Sequence, residues 1–208
     1  MRSIIIQDDV KLVEARLKQF EDRTGCELLL VVANSSDPYP GATFRFGIIS
    51  TFIIALVFTY YLEFHHAYLY PLSFFALTLL MSYVGHFPWA KRLALSEWEV
   101  ERETAEKALE YFHTLGTTKV SHKVTAMIMV SVLEKKIHIL VDEKLKEQLD
   151  QSELQELVAI MQKHFKAGNM GLGFIQSIDS LEEKILLDFG GKINNLGSSE
   201  LKDIIHFT

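Results

Sequence analysis

A chain of 208 residues with a formal net charge of -6 has room for one ordinary domain plus a membrane element, and it offers no clustered basic face for the phosphates of nucleic acid. Hydrophobic residues make up 49% and charged residues 23%, close to a soluble average, so any membrane segment has to be local. The single cysteine, Cys26, excludes an intrachain disulfide and fits a reducing compartment, while Ile4, Ile5 and Ile6 ahead of Asp8 and Asp9 are too short a run for a secretory signal.

Val10, Val13, Leu17 and Phe20 recur at three- and four-residue steps behind Asp8 or Asp9 as an N-cap, and Gly25 closes the pattern, which predicts an amphipathic helix. Residues 26–33 follow, with an unbroken aliphatic run from Leu28 to Val32 of the kind that marks a strand covered on both faces. Such a strand needs partners from farther along the chain. Residues 34–41, with Asp37, Pro38 and Pro40, read as a linker leading away from it.

Residues 46–62 and 67–87 then pass without a charge, each close to the ~20 residues that cross the hydrocarbon as helix. Only Glu63, Phe64, His65 and His66 separate them, so the pair reads as an antiparallel transmembrane hairpin, roughly Arg45 to Trp89. Tyr60, Tyr61, Tyr68, Tyr70 and Trp89 gather near the ends as an interfacial belt does, and Pro71 falls in the first turn of the second helix. A chain this small cannot bury two helices that are apolar all round. Arg45, Lys91 and Arg92 flank the hairpin and its loop has no Lys or Arg, which predicts a multi-pass protein of the inner (cytoplasmic) membrane, with the loop at 63–66 outside and both termini and the soluble domain in the cytoplasm. No ionisable residue lies near the middle of either run, so transport and channel functions are not expected.

Beyond the hairpin, Ala105, Ala108, Leu109, Phe112 and Leu115 give a helical stripe that stops at Gly116. Residues 125–133 and 136–141 are β-prone and join around Glu134 and Lys135, a tight antiparallel hairpin in which Ile137, Ile139 and Val141 share one face. Leu154, Leu157, Val158, Met161 and Phe165 mark a helix, and Ile175, Ile178, Leu181 and Ile185 another after the glycine-bearing turn at 168–173. From Gly190 the glycines, asparagines and serines predict a flexible tail, with Ser198 or Ser199 able to cap a short helix through Ile205.

The fold class expected from this order is α/β: a small sheet of about three to four strands flanked by helices and interrupted by the hairpin, provided that the first strand joins those encoded after it. The domain is then split in sequence. Residues 1–43 form its first part, 44–90 the hairpin, 91–189 its second part and 190–208 the tail.

Arg23-Thr24-Gly25-Cys26-Glu27 before the first strand, residues 108–116, the run Met127-Ile128-Met129-Val130-Ser131-Val132-Leu133-Glu134-Lys135-Lys136-Ile137, and Asp142 together resemble the TPM domain family. The resemblance is in particular to its subgroup with two membrane helices inserted after the first strand. The resemblance implies a role in membrane-complex maintenance, divalent-cation binding or acid phosphatase activity. Many members carry a glycine-rich stretch after the second hairpin strand, where this chain has Val141-Asp142-Glu143-Lys144 instead, which weighs against inherited phosphatase chemistry.

If the first strand and residues 136–141 run parallel, their carboxyl ends emerge together, and Asp37, Asp142 and Glu143, with Asn34 and Ser35, would offer oxygen ligands suited to calcium or magnesium. The plainer reading is that Asp142 caps the following helix and Asp37 opens a turn. His65 and His66 read as a solvated interfacial turn, and His113, His122 and His138 lack metal-ligand spacing. Ser131 has no nucleophile-elbow pattern and Cys26 no activating context, so no catalytic constellation is read. The glycines at 168, 171 and 173 lack a phosphate-loop pattern, and the charges from Glu97 to Lys107 form the wet face of a helix. The function expected is a membrane-anchored cytoplasmic interaction or assembly module whose partners are the lipid bilayer and other membrane proteins. The alternative is a weak divalent-cation-dependent phosphatase. Apart from that cation, no cofactor is expected.

Overall fold

The structure is a computed structural model and describes residues 7–61, 69–117, 125–147, 149–188 and 205–207. Two compact units emerge: one combines the chain up to Asn34 with the chain from Thr104 onward, and the other is Ser35–Glu103.

The first unit is built on helix α1 (Gln7–Thr24) and strand β1 (Glu27–Ala33). Its second contribution is β2 (Thr125–Ser131), β3 (Lys136–Val141) and, after the short α6 (Glu143–Lys146), the helices α7 (Gln151–Lys166) and α8 (Met170–Asp188). Every residue of β1 and of β2 is buried, as continuous aliphatic runs require when both faces of a strand are covered. The two pair in parallel, Leu28 opposite Ala126 and Val32 opposite Val130, so the strand encoded before the apolar helices does find its neighbour after them. The turn from β2 into antiparallel β3 carries Lys135 at φ 55°, in the left-handed region.

A fourth strand, β4 (Ile205–Phe207), pairs in parallel with Leu30–Val32 and completes the order β3-β2-β1-β4. Sequence reading assigns this stretch to a flexible tail, because three residues behind a polar, glycine-bearing segment give no periodicity to read. Backbone hydrogen bonding at the open edge of β1 is what orders it.

Strand alternation sorts the core into two faces. Leu28, Leu30, Val32, Ala126, Ile128 and Val130 lie with Ile137, Ile139 and Val141 against Val13, Leu17 and Phe20 of α1, Leu157 and Met161 of α7, and Ile178, Leu181 and Ile185 of α8. Leu29, Val31, Ala33, Met127 and Met129 face the other way. Their cover is Ala108 of helix α5 (Glu97–Tyr111) and Tyr111, Phe112 and Leu115 around the π-helical turn that continues it (Phe112–Thr117). Leu109, which the sequence stripe places inward, is exposed: the covered side of α5 runs through Thr104, Ala108 and Tyr111, and Leu109 lies beside it. Between α7 and α8 the chain reverses at Gly168, φ 80°, where the amides of Gly168 and Asn169 bond the carbonyls of Phe165 and His164. Gly171 and Gly173 belong to α8 itself.

The second unit consists of α2 (Pro40–Tyr61), α3 (Leu69–Val84), α4 (Pro88–Ala94) and the first turns of α5. Helices α2 and α3 approach so closely that a Cβ on Gly47 would lie 2.2 Å from Ser82 Oγ and 3.0 Å from Ser82 Cα, and one on Gly85 would lie 2.8 Å from the carbonyl oxygen of Thr43. Small residues at the contact allow this spacing, the arrangement by which apolar helices pack without water to drive them together. The predicted linker at 34–41 is shorter than expected, since α2 already starts at Pro40. The second apolar run does not continue as helix to Phe87. It breaks after Val84, and α4 leaves at 108° to the preceding helix.

Candidate functional site

The carboxylates singled out in the sequence fall into different settings. Strand β3 runs antiparallel to β2 and therefore to β1, which corrects the parallel arrangement on which the oxygen cluster depends. A hairpin turn of four residues leaves β3 no other direction. Asp142 consequently sits at the amino end of β1: its amide bonds the carbonyl of Thr125, and Thr125 pairs with Glu27. Asn34 leaves from the opposite end, where its carbonyl accepts from the amide of Leu133.

Asp142 is an N-cap, its Oδ1 accepting from the amide of Leu145 at 3.0 Å and its Oδ2 from the amide of Thr125 at 3.2 Å. Glu143 opens α6 and is exposed. Asp37 belongs to the second unit, and its Oδ2 accepts from the amide of Tyr39 at 2.7 Å, an Asx turn that sets Tyr39 at φ 52° one step before α2. Both acidic residues thus satisfy backbone donors, as the plainer reading of the sequence has it. Among the described residues no group of three or more His, Cys, Asp and Glu is arranged to hold a metal ion. His65 and His66 in the hairpin loop, and His122, lie outside the described residues.

Cys26 is fully buried, and burial pushes its thiol up, with the negative charges of Asp142, Glu21 and Glu27 acting the same way. Its Sγ donates to the carbonyl of Glu27 at 3.6 Å. A thiol held protonated in this way is not a nucleophile.

One polar group escapes a reading of spacing alone. On the sheet face covered by α5, the Ser131 hydroxyl donates to the Glu134 carboxylate, both buried, and two pairs along the ladder His138 Nε2 lies 2.8 Å from Thr104 Oγ1. Alternation along β3 could have placed His138 on this face, but nothing in the sequence says that Thr104 of α5 meets it. Ser131 is bonded to a carboxylate and His138 to a hydroxyl, so these residues pin the turn to β2 and α5 to the sheet.

A third set of charges ties α1 to α8. Arg16 contacts Asp179 at 2.5 Å and Glu182 at 2.6 Å, and Arg23 reaches Glu182 at 3.1 Å. Burial alone would raise Glu182, yet the bonds from Arg16 and Arg23 outweigh it and hold the carboxyl below its ordinary range.

The second unit presents the most unusual surface. Ile48, Ile49, Phe52, Ile53 and Leu56 of α2, and Leu72, Phe75, Leu79 and Leu80 of α3, are each more than half exposed. Large apolar side chains point outward while Thr51 and Ala42 are buried, the reverse of a water-soluble helix pair. Helix α2 is long and apolar enough over Pro40–Phe58 to cross a membrane, and the bent pair Pro71–Val84 and Pro88–Ala94 qualifies only as one broken span. Polar contacts collect at one end of the unit: Arg45 Nη2 donates to Glu99 Oε2 at 2.5 Å, Lys91 Nζ donates to the carbonyl of Pro38 at 2.8 Å, and Phe46 meets Trp89 edge-on at 5.7 Å. The Arg45 guanidinium, helped by Ser96, holds the Glu99 carboxyl at about 2.

Comparison with known proteins agrees with this architecture. No curated protein matches the sequence. The fold is similar to that in the NMR structure of the BA42 protein from the psychrophilic bacteria Bizionia argentinensis, with a TM-score of 0.57 at 13% identity, over 97% of this chain and 93% of that one. Residues 95–184, which take in β2, β3 and the helices α5 to α7 with most of α8, match the family model of the TPM domain.

Proposed function

We propose that this protein is anchored in the inner (cytoplasmic) membrane by α2 and α3 as a transmembrane hairpin, and that its TPM domain acts from the cytoplasm as an interaction or assembly module for other membrane proteins. The observation that carries the reading is the outward-facing apolar surface of α2 and α3, whose two helices meet through Gly47, Ser82, Thr43 and Gly85. Lipid is the solvent that such a surface matches. Arg45, Lys91 and Arg92 flank the pair at one end, and the positive-inside tendency assigns that end to the cytoplasm.

Single cysteines introduced at Glu63 and Glu97 test the topology. The hairpin reading expects a membrane-impermeant maleimide added to intact cells to label the first and to reach the second only after lysis. Labelling of both from outside would overturn it. The assembly role is tested by affinity capture of the full chain from gently solubilised membranes, with mass spectrometry of what accompanies it. A defined membrane complex supports the role, whereas phosphatase turnover that a chelator abolishes would replace it with the enzymatic alternative.

A further inference from the structure

Helix α4 carries a surface that the hairpin reading does not explain. Trp89 is 62% exposed and Leu93 77%, and at four-residue spacing they share one side of the helix. Ala90, on another side, is fully buried where α4 packs on α2. Phe87, just ahead of the helix, is also more than half exposed, as is Tyr83 in the last turn of α3. An exposed apolar track therefore continues from the flank of α3 around the break and along α4.

The height of α4 is fixed by its partners. Lys91 Nζ reaches the carbonyl of Pro38, ahead of α2, and Trp89 packs against Phe46, next to Arg45 and its ion pair with Glu99. These are residues at the polar end of the unit. The chord of the chain agrees: Gly85, where the helix breaks, lies against the carbonyl of Thr43. Leu69–Val84, at 1.5 Å per residue, is about 24 Å long. That is short of a ~30 Å core, but local thinning of the bilayer accommodates the shortfall. An axis turned by 108° from a helix near the bilayer normal then runs close to the plane of the membrane.

We infer that α4 is an interfacial helix lying in the headgroup layer of the cytoplasmic leaflet, with Trp89 and Leu93 dipped into the acyl boundary and Lys91 and Arg92 at the level of the lipid phosphates. This deepens the hairpin reading and rests on it. The occupant is the bilayer, because the track is continuous with the lipid-facing surface of α3 and because tryptophan beside cations is the chemistry of that layer. The geometry makes α4 a foot: it stops the hairpin from sliding along the normal and sets the distance at which the chain leaves the membrane.

The protein supplies its own probes, since Trp89 and Trp98 are its two tryptophans. The full chain carrying Trp98→Phe is reconstituted into phosphatidylcholine vesicles containing lipid brominated either near the top or near the end of one acyl chain. Trp89 emission is expected to be quenched about twofold more by the shallow bromines, as befits a helix about 5–10 Å into the headgroup boundary. Stronger quenching by the deep bromines would mean that α4 continues the span, and access to aqueous iodide without lipid quenching would put the helix in water or under a second copy; either overturns the inference. Adding Leu93→Glu should remove the shallow quenching. A companion chain with Trp89→Phe, Trp98→Phe and Phe52→Trp separates the two levels of the reading. Deep quenching at position 52 together with none at Trp89 sinks the interfacial foot alone, while no lipid quenching at position 52 sinks the hairpin as well.

Discussion

Two regions of this chain are built from the same kinds of residue and turned in opposite directions. In β1 and β2 the leucines, valines, isoleucines and methionines are sealed between helices, whereas in α2 and α3 the isoleucines, leucines and phenylalanines face outward and the small and hydroxylated residues lie within. Composition does not distinguish them. What differs is which way the side chains face: expulsion of water holds the sheet's residues between helices, whereas the helix pair meets through small residues and leaves its large apolar side chains outside.

That contrast can be broken by substitution. The largest effect is expected at Ile128, buried in the centre of the larger face: Ile128→Ala should lower stability by about 2–5 kcal/mol, read by denaturant unfolding of the full chain in detergent micelles. Next comes Glu182→Gln, which leaves Arg16 and Arg23 without their shared carboxylate and should cost about 2–3 kcal/mol. Glu182 is depressed in the folded state, so its contribution is present above the ordinary carboxylate range and lost as pH falls toward its folded value. The wild-type protein should therefore lose more stability on acidification than Glu182→Gln does.

Within the helix pair the ranking inverts with position. Gly47→Val should separate α2 from α3 at a cost of about 1–2 kcal/mol, since its side chain meets the backbone of Ser82, while Phe52→Leu on the outward face should be nearly neutral in micelles. A large loss for Phe52→Leu would mean that protein and not lipid covers that face. The smallest effect is expected for Glu99→Gln, under about 1 kcal/mol, because its partner Arg45 is well exposed to screening ions. Glu99 titrates at about 2, so its part persists above the ordinary carboxylate range and fades as pH falls from about 4.5 toward 2. Cys26 sharpens the same comparison by reactivity: at pH 8 a thiol reagent should label it only in denaturant.

Much of this arrangement can be read from residues alone. The stripe at Val10, Val13, Leu17 and Phe20, the doubly covered Leu28 to Val32 and the hairpin around Glu134 and Lys135 each declare themselves through a period or a run, and each appears as expected. Direction is harder to read. Placing β1 beside β2 in parallel forces β3 to oppose it, and a cluster of Asp37 with Asp142 assumes the contrary. The break after Val84 was hidden because His86 and Phe87 extend an uncharged run without extending the helix. β4 has no signal of its own, since its order comes from an edge that belongs to another part of the chain. The hydroxyl of Thr104 and the imidazole of His138 likewise become a pair only through a tertiary contact.

The parallel pairing of β1 with β2 also has a consequence for biosynthesis. While the ribosome is still making the apolar helices, Leu28 to Val32 have no neighbour on the side where Ala126 to Val130 will lie. Helices α2 and α3 can form from local sequence, but the sheet must wait for β2 to be translated. Until then Leu28 to Val32 are an apolar run without its neighbour, and such a run is an aggregation hazard.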